Sequence, residues 1–595
     1  MSKYIKALFF VFGIFSYEII DAQSINEITV DELEGHVYFL ASDSLKGRKP
    51  GTPGGKIAAE YIRDQFKESG IALLGDDGFH YFNVTTSVEI GGNNTLKVND
   101  EGAIVGADFK PMPFTSNAEL EADVIFVGYG MQFEHDSLKW NDYEGLDVEG
   151  KWVMVLRGDP EPDNDTSLFI SYGSDRDKVL TARDNKASGI IFVSGVNISE
   201  EDKLMGNTFN RVTATAGIPA VNITRALANK IIAGENTISD IEEEIITEKK
   251  SVSFLIPTIV IASTELKRVE VETQNVVAII EGNDPELKHE YIVVGGHYDH
   301  LGMGGTGSGS RMPDTIAIHN GADDNASGTA AIIELAEKLS SEKDNLRRSV
   351  IFMAFGAEEM GLLGSQFFTS DSLIDMSDVV AMLNFDMIGR LDSTKRTLLI
   401  GGTGTAEQME TLLAVHEKGS SLNFNHSPEG YGASDHASFY GAGVPVLFFF
   451  TGAHQDYHTP LDDADMLNYG GEKEILDFTY PIVLDLINRE DKLVYKEAGP
   501  SKQKAKVGRG LKVKFGIMPD FTSTENDGLG VGGVTAGGPA HIAGMLKGDK
   551  IVAIEGMPVT NIYDYMARLK KLKPGQRVSV DIIRNGEKQI LMILL

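Results

Sequence analysis

The chain has 595 residues, which predicts several domains rather than one compact core. Hydrophobic residues make up 42% and charged residues 24%, so a wholly disordered, collagenous or polytopic membrane protein is excluded. The net charge of −33 argues against nucleic acid and anionic lipid as partners, and the absence of cysteine excludes disulfides and thiolate zinc sites. Metal ligands would therefore have to be His, Asp or Glu.

The first 23 residues have the pattern of a secretory signal peptide. Lys3 and Lys6 precede an apolar run at residues 7–17, and the composition turns polar at Ala22 and Gln23. The apolar run is too short for a stable transmembrane anchor. We therefore expect residues 1–23 to be removed on export, which leaves a periplasmic or secreted protein without a stable membrane anchor.

The remaining chain divides by pattern into four parts and a linker. Residues 24–118 contain a Gly/Pro loop and a helical stretch, and residues 119–253 have the short strand-like runs of a separate β-rich insert. Strands alternate with helices over residues 254–492, which favours a largely parallel sheet covered on both faces. A linker at 493–508 then leads to a separate unit at 509–595.

Polar side chains follow four apolar runs in residues 254–492. They are His297, Asp299 and His300, then Glu358 and Glu359, then Asp386, then His454, Tyr457 and His458, and the loop at 321–328 adds Asp323 and Asp324. One such residue at a strand end is more often a turn or surface residue, but sites in open α/β sheets lie at these ends, and five clusters in succession favour a site. The adjacent carboxylates of Glu358 and Glu359 would be costly to bury without a cation or proton, which predicts a metal centre.

Five of these segments together resemble the two-zinc peptidases of family M28. The matching segments are HYD at 297–299, GADDNASG at 321–328, EEMGLLGS at 358–365, NFDMIG at 384–389 and YHTP at 457–460. The early segment SDSLKGR at 42–48 is similar to the N-terminal portion of that family. The resemblance covers about residues 24–118 and 255–490, and it implies an α/β fold with a three-layer α/β/α zinc-peptidase domain.

The resemblance also implies the ligands of two Zn²⁺ ions. One ion would be held by His297 and Asp386, and the second by Glu359 and His458. Asp324 would bridge both ions.

Three further residues acquire catalytic roles from the same resemblance. Glu358 would be the general base that takes a proton from water and returns it to the leaving amine. Asp299 would orient the imidazole of His297 through its carboxylate. Tyr457 would donate to the developing oxyanion.

Other polar residues near these motifs do not match ligand positions of the family. For His300, His454, Asp323 and His436 we expect a place in loop structure or in the lining of the substrate pocket rather than on a metal. Asp435 is the exception, since it is expected to orient a neighbouring group of the site.

The two accessory parts also resemble known domains. Residues 119–253 resemble a protease-associated (PA) domain through VIFVGYG at 124–130 and GKWVMVL at 150–156. The C-terminal unit resembles a PDZ domain through FGIMP at 515–519 and the glycine-rich core at 538–551. The PA resemblance implies a lid or substrate-selecting module. The PDZ resemblance implies that a peptide or protein C-terminus binds, although a PDZ fold used only for packing or dimerisation stays open.

The function that these observations favour is an exported two-zinc aminopeptidase acting on peptide substrates. Alternatives within the same family are a carboxypeptidase and a glutaminyl-cyclase-like enzyme. An alternative of another class is a non-catalytic protein that binds peptides through its PA and PDZ modules. Retention of Glu358 beside five ligands argues against that last alternative.

Overall fold

The structure, a computed structural model, describes residues 27–135, 138–164, 167–206, 215–371, 373–498, 512–520, 526–535 and 537–595. The signal peptide predicted at 1–23 and residues 499–508 of the predicted linker lie outside this part of the chain. Of the helices described, none is both long and apolar enough to cross a bilayer.

The main sheet has nine strands, and its four central strands run parallel. In spatial order the strands are Ala72–Leu73, Leu266–Ile280, Ser349–Phe355, Tyr291–His297, Val379–Phe385, Val446–Phe450, Thr397–Gly401 and Asn423–His426, and Phe79–Ile90 also pairs with Leu266–Ile280. The four central strands are largely buried, as expected for apolar runs in a parallel sheet covered on both faces. Their carboxyl ends meet at one edge of the sheet.

Helices cover both faces of the main sheet. One face carries Val30–Leu40, Pro53–Glu68, Gly328–Ser341, Met409–Glu417 and Tyr469–Asn488, and the other carries Leu363–Ser370 and His436–Gly441. Consecutive residues of a strand point to opposite layers, so that Val276 packs in the first core and Val277 in the second. The predicted three-layer α/β/α architecture is therefore confirmed.

The insert is built on a mixed sheet of eight strands. In spatial order they are Glu101–Gly102, Thr95–Val98, Ser253–Thr264, Ala118–Val127, Trp152–Leu156, Gly189–Val193, Ala220–Ile223 and Phe109–Pro111. The hairpin Gln132–His135 and Leu138–Asn141 and the helices Asp175–Asp184, Arg225–Ile232 and Ile238–Glu248 complete the insert. The sheet reaches beyond residues 119–253 on both sides, because Ser253–Thr264 pairs with Ala118–Val127 and also with Thr95–Val98. Strand pairing of this kind links distant segments, and composition does not reveal it.

The C-terminal unit, residues 512–595, forms an antiparallel sheet around its own core. Its strands are Ile517–Pro519, Leu529–Val534, Lys550–Ile554, Arg577–Arg584 and Glu587–Leu594, with Met557–Pro558 beside Lys550–Ile554, and its helices are Pro539–Ile542 and Ile562–Lys570. The unit contacts both other parts of the molecule. Arg183 of the insert donates to Asp564 at 2.5 Å, and Lys547 donates to the carbonyl oxygen of Gly441 in the main domain at 2.5 Å.

Candidate active site

The carboxyl edge of the main sheet brings together the side chains that the sequence singles out. His297 is the last residue of the strand Tyr291–His297, and Asp386 directly follows Val379–Phe385. Glu358 and Glu359 come three and four residues after Ser349–Phe355. His458 lies in the loop after the strand Val446–Phe450.

One group of possible metal ligands consists of His297, Asp324 and Asp386. One ligand atom from each lies within 4.8 Å of the others. The Nε2 atom of His297 is 3.3 Å from Asp324 Oδ1 and 3.6 Å from Asp386 Oδ1. Its Nδ1 atom lies 3.1 Å from the carbonyl oxygen of Asp299, so an Nδ1–H donor leaves Nε2 free to bind a cation.

A second group lies on the other side of Asp324. The Nε2 atom of His458 is 3.1 Å from Asp324 Oδ2 and 3.2 Å from Glu359 Oε1, and its Nδ1 atom faces the carbonyl oxygen of Gly309 at 3.1 Å. His300 joins Asp324 and Glu359 in a set of ligand atoms within 4.8 Å of one another. Asp324 thus directs one carboxylate oxygen to each group.

The loop that carries Asp324 is held by hydrogen bonds to its backbone. Asp462 Oδ2 accepts from the N–H groups of Asp323 and Asp324, both at 3.0 Å. The side chain of Asn325 donates to the carbonyl oxygen of Phe385 at 2.9 Å, which ties the loop to the strand before Asp386. These bonds fix the position of Asp324 before any ligand binds.

Charges around Asp324 determine its protonation. Burial favours the neutral acid, but His300, His297 and His458 outweigh it and hold the pKa of Asp324 well below its usual range. Burial and the charge of Asp324 favour the neutral acid of Glu359, but the close contacts and charges of His300 and His458 outweigh both and lower the pKa of Glu359 to about 2. Both carboxylates are therefore ionised near neutral pH, as metal ligands must be.

Glu358 lies beside the first group, with Oε2 3.9 Å from His297 Nε2. Burial of its carboxylate, together with the charges of Glu359, Asp435 and Asp386, raises the pKa of Glu358 well above its usual range. A divalent cation nearby would oppose that shift. Glu358 is the carboxylate of the cluster that is easiest to protonate.

Asp299 is buried between His297 and Glu358, but its contacts differ from the expected ones. Its carboxylate stands 3.8 Å from His297 Nδ1, beyond hydrogen-bond distance, and its backbone oxygen makes the contact at 3.1 Å instead. The carboxylate accepts from the N–H of Glu358 at 2.9 Å. In this structure the Asp299 side chain positions the backbone of Glu358 rather than the imidazole.

Tyr457 stacks on His458, with ring centroids 3.9 Å apart. Partial burial and the charges of nearby carboxylates, Asp324 and Glu359 foremost, raise the pKa of Tyr457 far above its usual range. Its hydroxyl therefore keeps its proton and remains a hydrogen-bond donor.

The other polar residues that the sequence placed near the site occupy different positions. His454 Nε2 faces Asp323 Oδ2 at 3.2 Å, and the His436 ring stacks on Phe448 with centroids 4.4 Å apart. Asp435 is fully buried, and burial raises its pKa to about 7. His300 departs furthest from the expected loop role, because it lies among the ligand atoms.

Arg48 supports the site from the N-terminal segment, a role that sequence reasoning missed. Its buried guanidinium donates to the carbonyl oxygens of Leu40, Tyr298, Asn320 and Gly321 at 2.6 to 2.9 Å. Two of these carbonyls flank the loops of His297 and Asp324. An arginine in a glycine-rich loop close to a helix gave no signal of this function, since three of its partners lie 250 to 273 positions away in the chain and the fourth, Leu40, ends the preceding helix.

The residues fit divalent metal ions. The donor set is imidazole nitrogen and carboxylate oxygen, which suits zinc. In His297 and in His458 the Nδ1 atom faces a backbone carbonyl oxygen, so the Nε2 atom is available to bind a cation. Four carboxylates, those of Asp324, Glu358, Glu359 and Asp386, are gathered in a largely buried cluster, and cations would offset their repulsion.

Comparisons with known proteins find relatives for all three parts of the chain. Models of three families match the chain: peptidase family M28 over residues 275–483, the PA domain over 120–231 and the PDZ domain over 516–595. The aminopeptidase YwaD of Bacillus subtilis is 25% identical over 475 residues, which cover 77% of this chain and 86% of that protein. The solved structure of BSAP, a zinc aminopeptidase from Bacillus subtilis, is 20% identical with a TM-score of 0.44, covering 79% of this chain and 98% of the other.

A second relative is more similar. Leucine aminopeptidase 2 of Arthroderma otae is 30% identical over 479 residues, which cover 75% of this chain and 81% of that protein. With this identity over most of a relative's length, the chain belongs to peptidase family M28, and it carries PA and PDZ domains in addition to the peptidase domain.

Proposed function

We propose that this protein is an exported zinc aminopeptidase that removes N-terminal residues from peptides with a two-ion site and Glu358 as general base. The observation that carries the proposal is the pair of ligand groups that share Asp324. His297 and Asp386 would complete one group, and Glu359 and His458 the other. Relatives named aminopeptidase support the assignment.

The metal ions would polarise the scissile carbonyl and lower the pKa of a water molecule. The protein's own residues would do the remaining work. Asp324 holds the two groups at a fixed separation because hydrogen bonds from its loop to Asp462 determine its position. The Nδ1 contacts of His297 and His458 keep their Nε2 atoms directed at the carboxylates.

Glu358 would move the proton. Its backbone N–H is held by Asp299, and its carboxylate lies beside the first ligand group, within reach of a water between the two groups. Its carboxylate would take up a proton from that water and later transfer it to the leaving amine. Tyr457 keeps its hydroxyl proton and would donate it as a hydrogen bond to the developing oxyanion.

The charge of the site favours a substrate amine over a substrate carboxylate. Glu358 is not among the proposed metal ligands, and in its ionised form its carboxylate would attract a cationic N-terminus. The buried guanidinium of Arg48 is enclosed by carbonyl oxygens, and Arg390 pairs with Asp456 at 3.1 Å. These two cations already interact with groups of the protein, so we do not expect them to bind a C-terminal carboxylate of a substrate.

The test uses the chain without residues 1–23 and a panel of aminoacyl chromogenic substrates, with free, N-acetylated and C-amidated peptides alongside. We expect cleavage of free and C-amidated peptides, no cleavage of N-acetylated ones, loss of activity on chelation and recovery with zinc. Two zinc ions per chain should be bound. Cleavage that C-terminal amidation blocks would instead identify a carboxypeptidase, and two bound ions without turnover would identify a binding protein.

The export part of the proposal rests on residues 1–23, which lie outside the described residues. Expression of the full chain in a secreting bacterial host, followed by N-terminal sequencing, tests it. A mature N-terminus near Gln23 in the exported fraction supports removal of a signal peptide. A protein that stays in the cytoplasm with its first 23 residues intact would contradict export.

The PDZ domain would bind a peptide C-terminus. The strand Ile517–Pro519 is the end strand of its sheet, so its outer edge could pair with an added peptide strand beside the helix Ile562–Lys570. Binding of a C-terminal peptide library to the full chain, with amidated peptides as controls, tests this role. Equal binding of free and amidated peptides would contradict it.

A further inference from the structure

His300 is buried inside the candidate site without the hydrogen bonds that a buried imidazole normally makes. Its side chain has no exposed surface, and its Nδ1 atom lies 2.8 Å from Glu359 Oε1 and 3.8 Å from Asp324 Oδ2. Neither ring nitrogen has a well-aligned hydrogen-bond partner among the described residues. Buried polar groups left in this state are rare because they cost free energy, so they call for a ligand.

The neighbouring His319 provides a contrast. It is equally buried, but its Nδ1 faces the carbonyl oxygen of Ala317 at 3.0 Å and its Nε2 faces Ser310 Oγ at 2.8 Å. His319 is therefore satisfied by the protein alone. His300 is not, and its Nδ1 atom lies 2.8 and 3.8 Å from two carboxylate oxygens of the second ligand group.

The packing around His300 holds the ring in this position. Gly321 has φ +58°, and a Cβ atom there would come within 2.5 Å of the His300 ring, so only glycine allows the loop to approach so closely. Arg48 donates to the carbonyl oxygen of Gly321 at 2.9 Å and secures that loop. On the other side, the His458 ring meets the His300 ring edge to face at 5.7 Å.

We infer that His300 is a metal ligand, the fourth protein ligand of the ion held by Asp324, Glu359 and His458. This inference rests on the proposed two-ion site. The four donor atoms lie 2.8 to 3.8 Å apart in the contacts described, a spacing that donors around one zinc ion adopt. A hydrogen bond to Glu359 alone would not explain why the His300 ring is also held facing Asp324.

With His300 as a ligand, the two ions have different numbers of protein ligands. The ion of His297, Asp324 and Asp386 has three protein ligands, which leaves room for substrate or water, as in catalytic zinc sites. The ion of His300, Asp324, Glu359 and His458 has four, as in structural sites. The second ion should therefore be held more tightly and exchange more slowly.

The test counts imidazole ligands directly. In the cobalt-substituted full chain, each imidazole bound to Co²⁺ gives an exchangeable ring N–H proton signal with a large paramagnetic shift. We expect three such signals from the wild type, for His297, His300 and His458, and two from His300→Ala. The control His319→Asn should retain all three.

Metal affinity provides a second readout that does not depend on activity. In zinc competition with a chelator, His300→Ala should lower the affinity for one of the two ions by more than about 100-fold. That loss exceeds what removal of an outer contact to a ligand produces. His319→Asn should change the affinity for neither ion.

Two imidazole signals from the wild type, or three from His300→Ala, would overturn the role of His300 while leaving the two-ion proposal intact. If the wild type binds fewer than two ions, the proposed function fails and this inference fails with it. The wild-type count stands even if the His300 variant does not fold.

Discussion

Arg568 of the PDZ domain donates two hydrogen bonds, at 2.5 and 2.7 Å, to the carboxylate of Asp184 in the insert. The residues are 384 positions apart in the chain, and the exposed fractions of their side chains are 3% and 9%. A two-pronged contact of this kind between buried side chains fixes orientation as well as distance. The helix Ile562–Lys570 is thereby joined to the helix Asp175–Asp184.

The first prediction is that Arg568→Ala loosens the PDZ domain from the insert. Removal of the guanidinium leaves the Asp184 carboxylate buried without its partner, which costs about 3 to 5 kcal/mol for pairs of this kind. Hydrogen exchange should become faster across the helix Ile562–Lys570 and across Asp175–Asp184. The control is Lys588→Ala, which breaks the exposed pair with Asp581 inside the PDZ domain. Unchanged exchange in Arg568→Ala would show that the contact does not hold the domains together.

Part of this architecture could be predicted from the sequence, because the signal was local. Apolar runs followed by His297, Glu358 and Asp386 indicate strand ends, and parallel strands bring such ends to one edge. The three-layer fold follows from the same alternation of strands and helices. Contacts that join distant segments, such as Arg568 with Asp184, leave no local pattern.

The role of His300 shows the same limit inside the site. Its position, three residues after His297, is visible in the sequence, but the direction of its ring depends on the close approach of Gly321. That approach depends in turn on Arg48, from another part of the chain. The insert sheet was underestimated for a similar reason, since the strand Thr95–Val98 joins it only by pairing with Ser253–Thr264.

The second prediction concerns Glu358. Glu358→Gln keeps the shape of the side chain but removes its capacity to accept a proton. We expect the variant to bind as much zinc as the wild type while kcat for aminoacyl substrates falls by about 10²- to 10⁴-fold. Zinc analysis and steady-state kinetics on the same preparation check this, with the exposed Glu281→Gln as control. Retention of kcat within a factor of a few would remove Glu358 from the role of base.

The third prediction concerns Asp324, whose two oxygens face different ligand groups. Asp324→Asn removes the charge that both groups share, so both ions should bind more weakly. Asp386→Asn removes a ligand from only one group and serves as the matched comparison. Metal analysis after dialysis should find near-complete loss in Asp324→Asn and partial loss in Asp386→Asn. Equal retention of metal in the two variants would contradict the shared position of Asp324.

The fourth prediction concerns Arg48. Burial lowers the pKa of Arg48 to about 10, which still leaves it charged at neutral pH. Arg48→Met would leave four buried carbonyl oxygens without their donor, at about 1 to 3 kcal/mol for each oxygen that finds no other partner. We expect a lower Tm by circular dichroism and weaker zinc binding, because the loops of His297 and Asp324 lose their support. Lys56→Met, at an exposed pair with Glu60, should change neither property.

The last prediction is a pH dependence that originates in the insert. Lys178 is fully buried, and its ammonium group donates to the carbonyl oxygens of Leu156 and Gly158 at 2.7 and 2.6 Å. Burial lowers the pKa of Lys178 from 10.5 to about 7. Between these values the unfolded chain binds the proton more strongly than the folded one, so the free energy of unfolding of the insert should rise with pH, by up to about 1.4 kcal/mol per pH unit.

The two tryptophans of the sequence, Trp140 and Trp152, both lie in the insert and are buried, so their fluorescence in urea reports the unfolding of the insert. In Lys178→Met the rise in stability between pH 7 and pH 10 should be smaller than in the wild type, because one titrating group has been removed while all others remain. Lys186→Met changes an exposed lysine paired with Glu149 and should keep the pH dependence of the wild type. If Lys178→Met and the wild type gained stability equally over this range, the Lys178 ammonium would not be the group that burial destabilises.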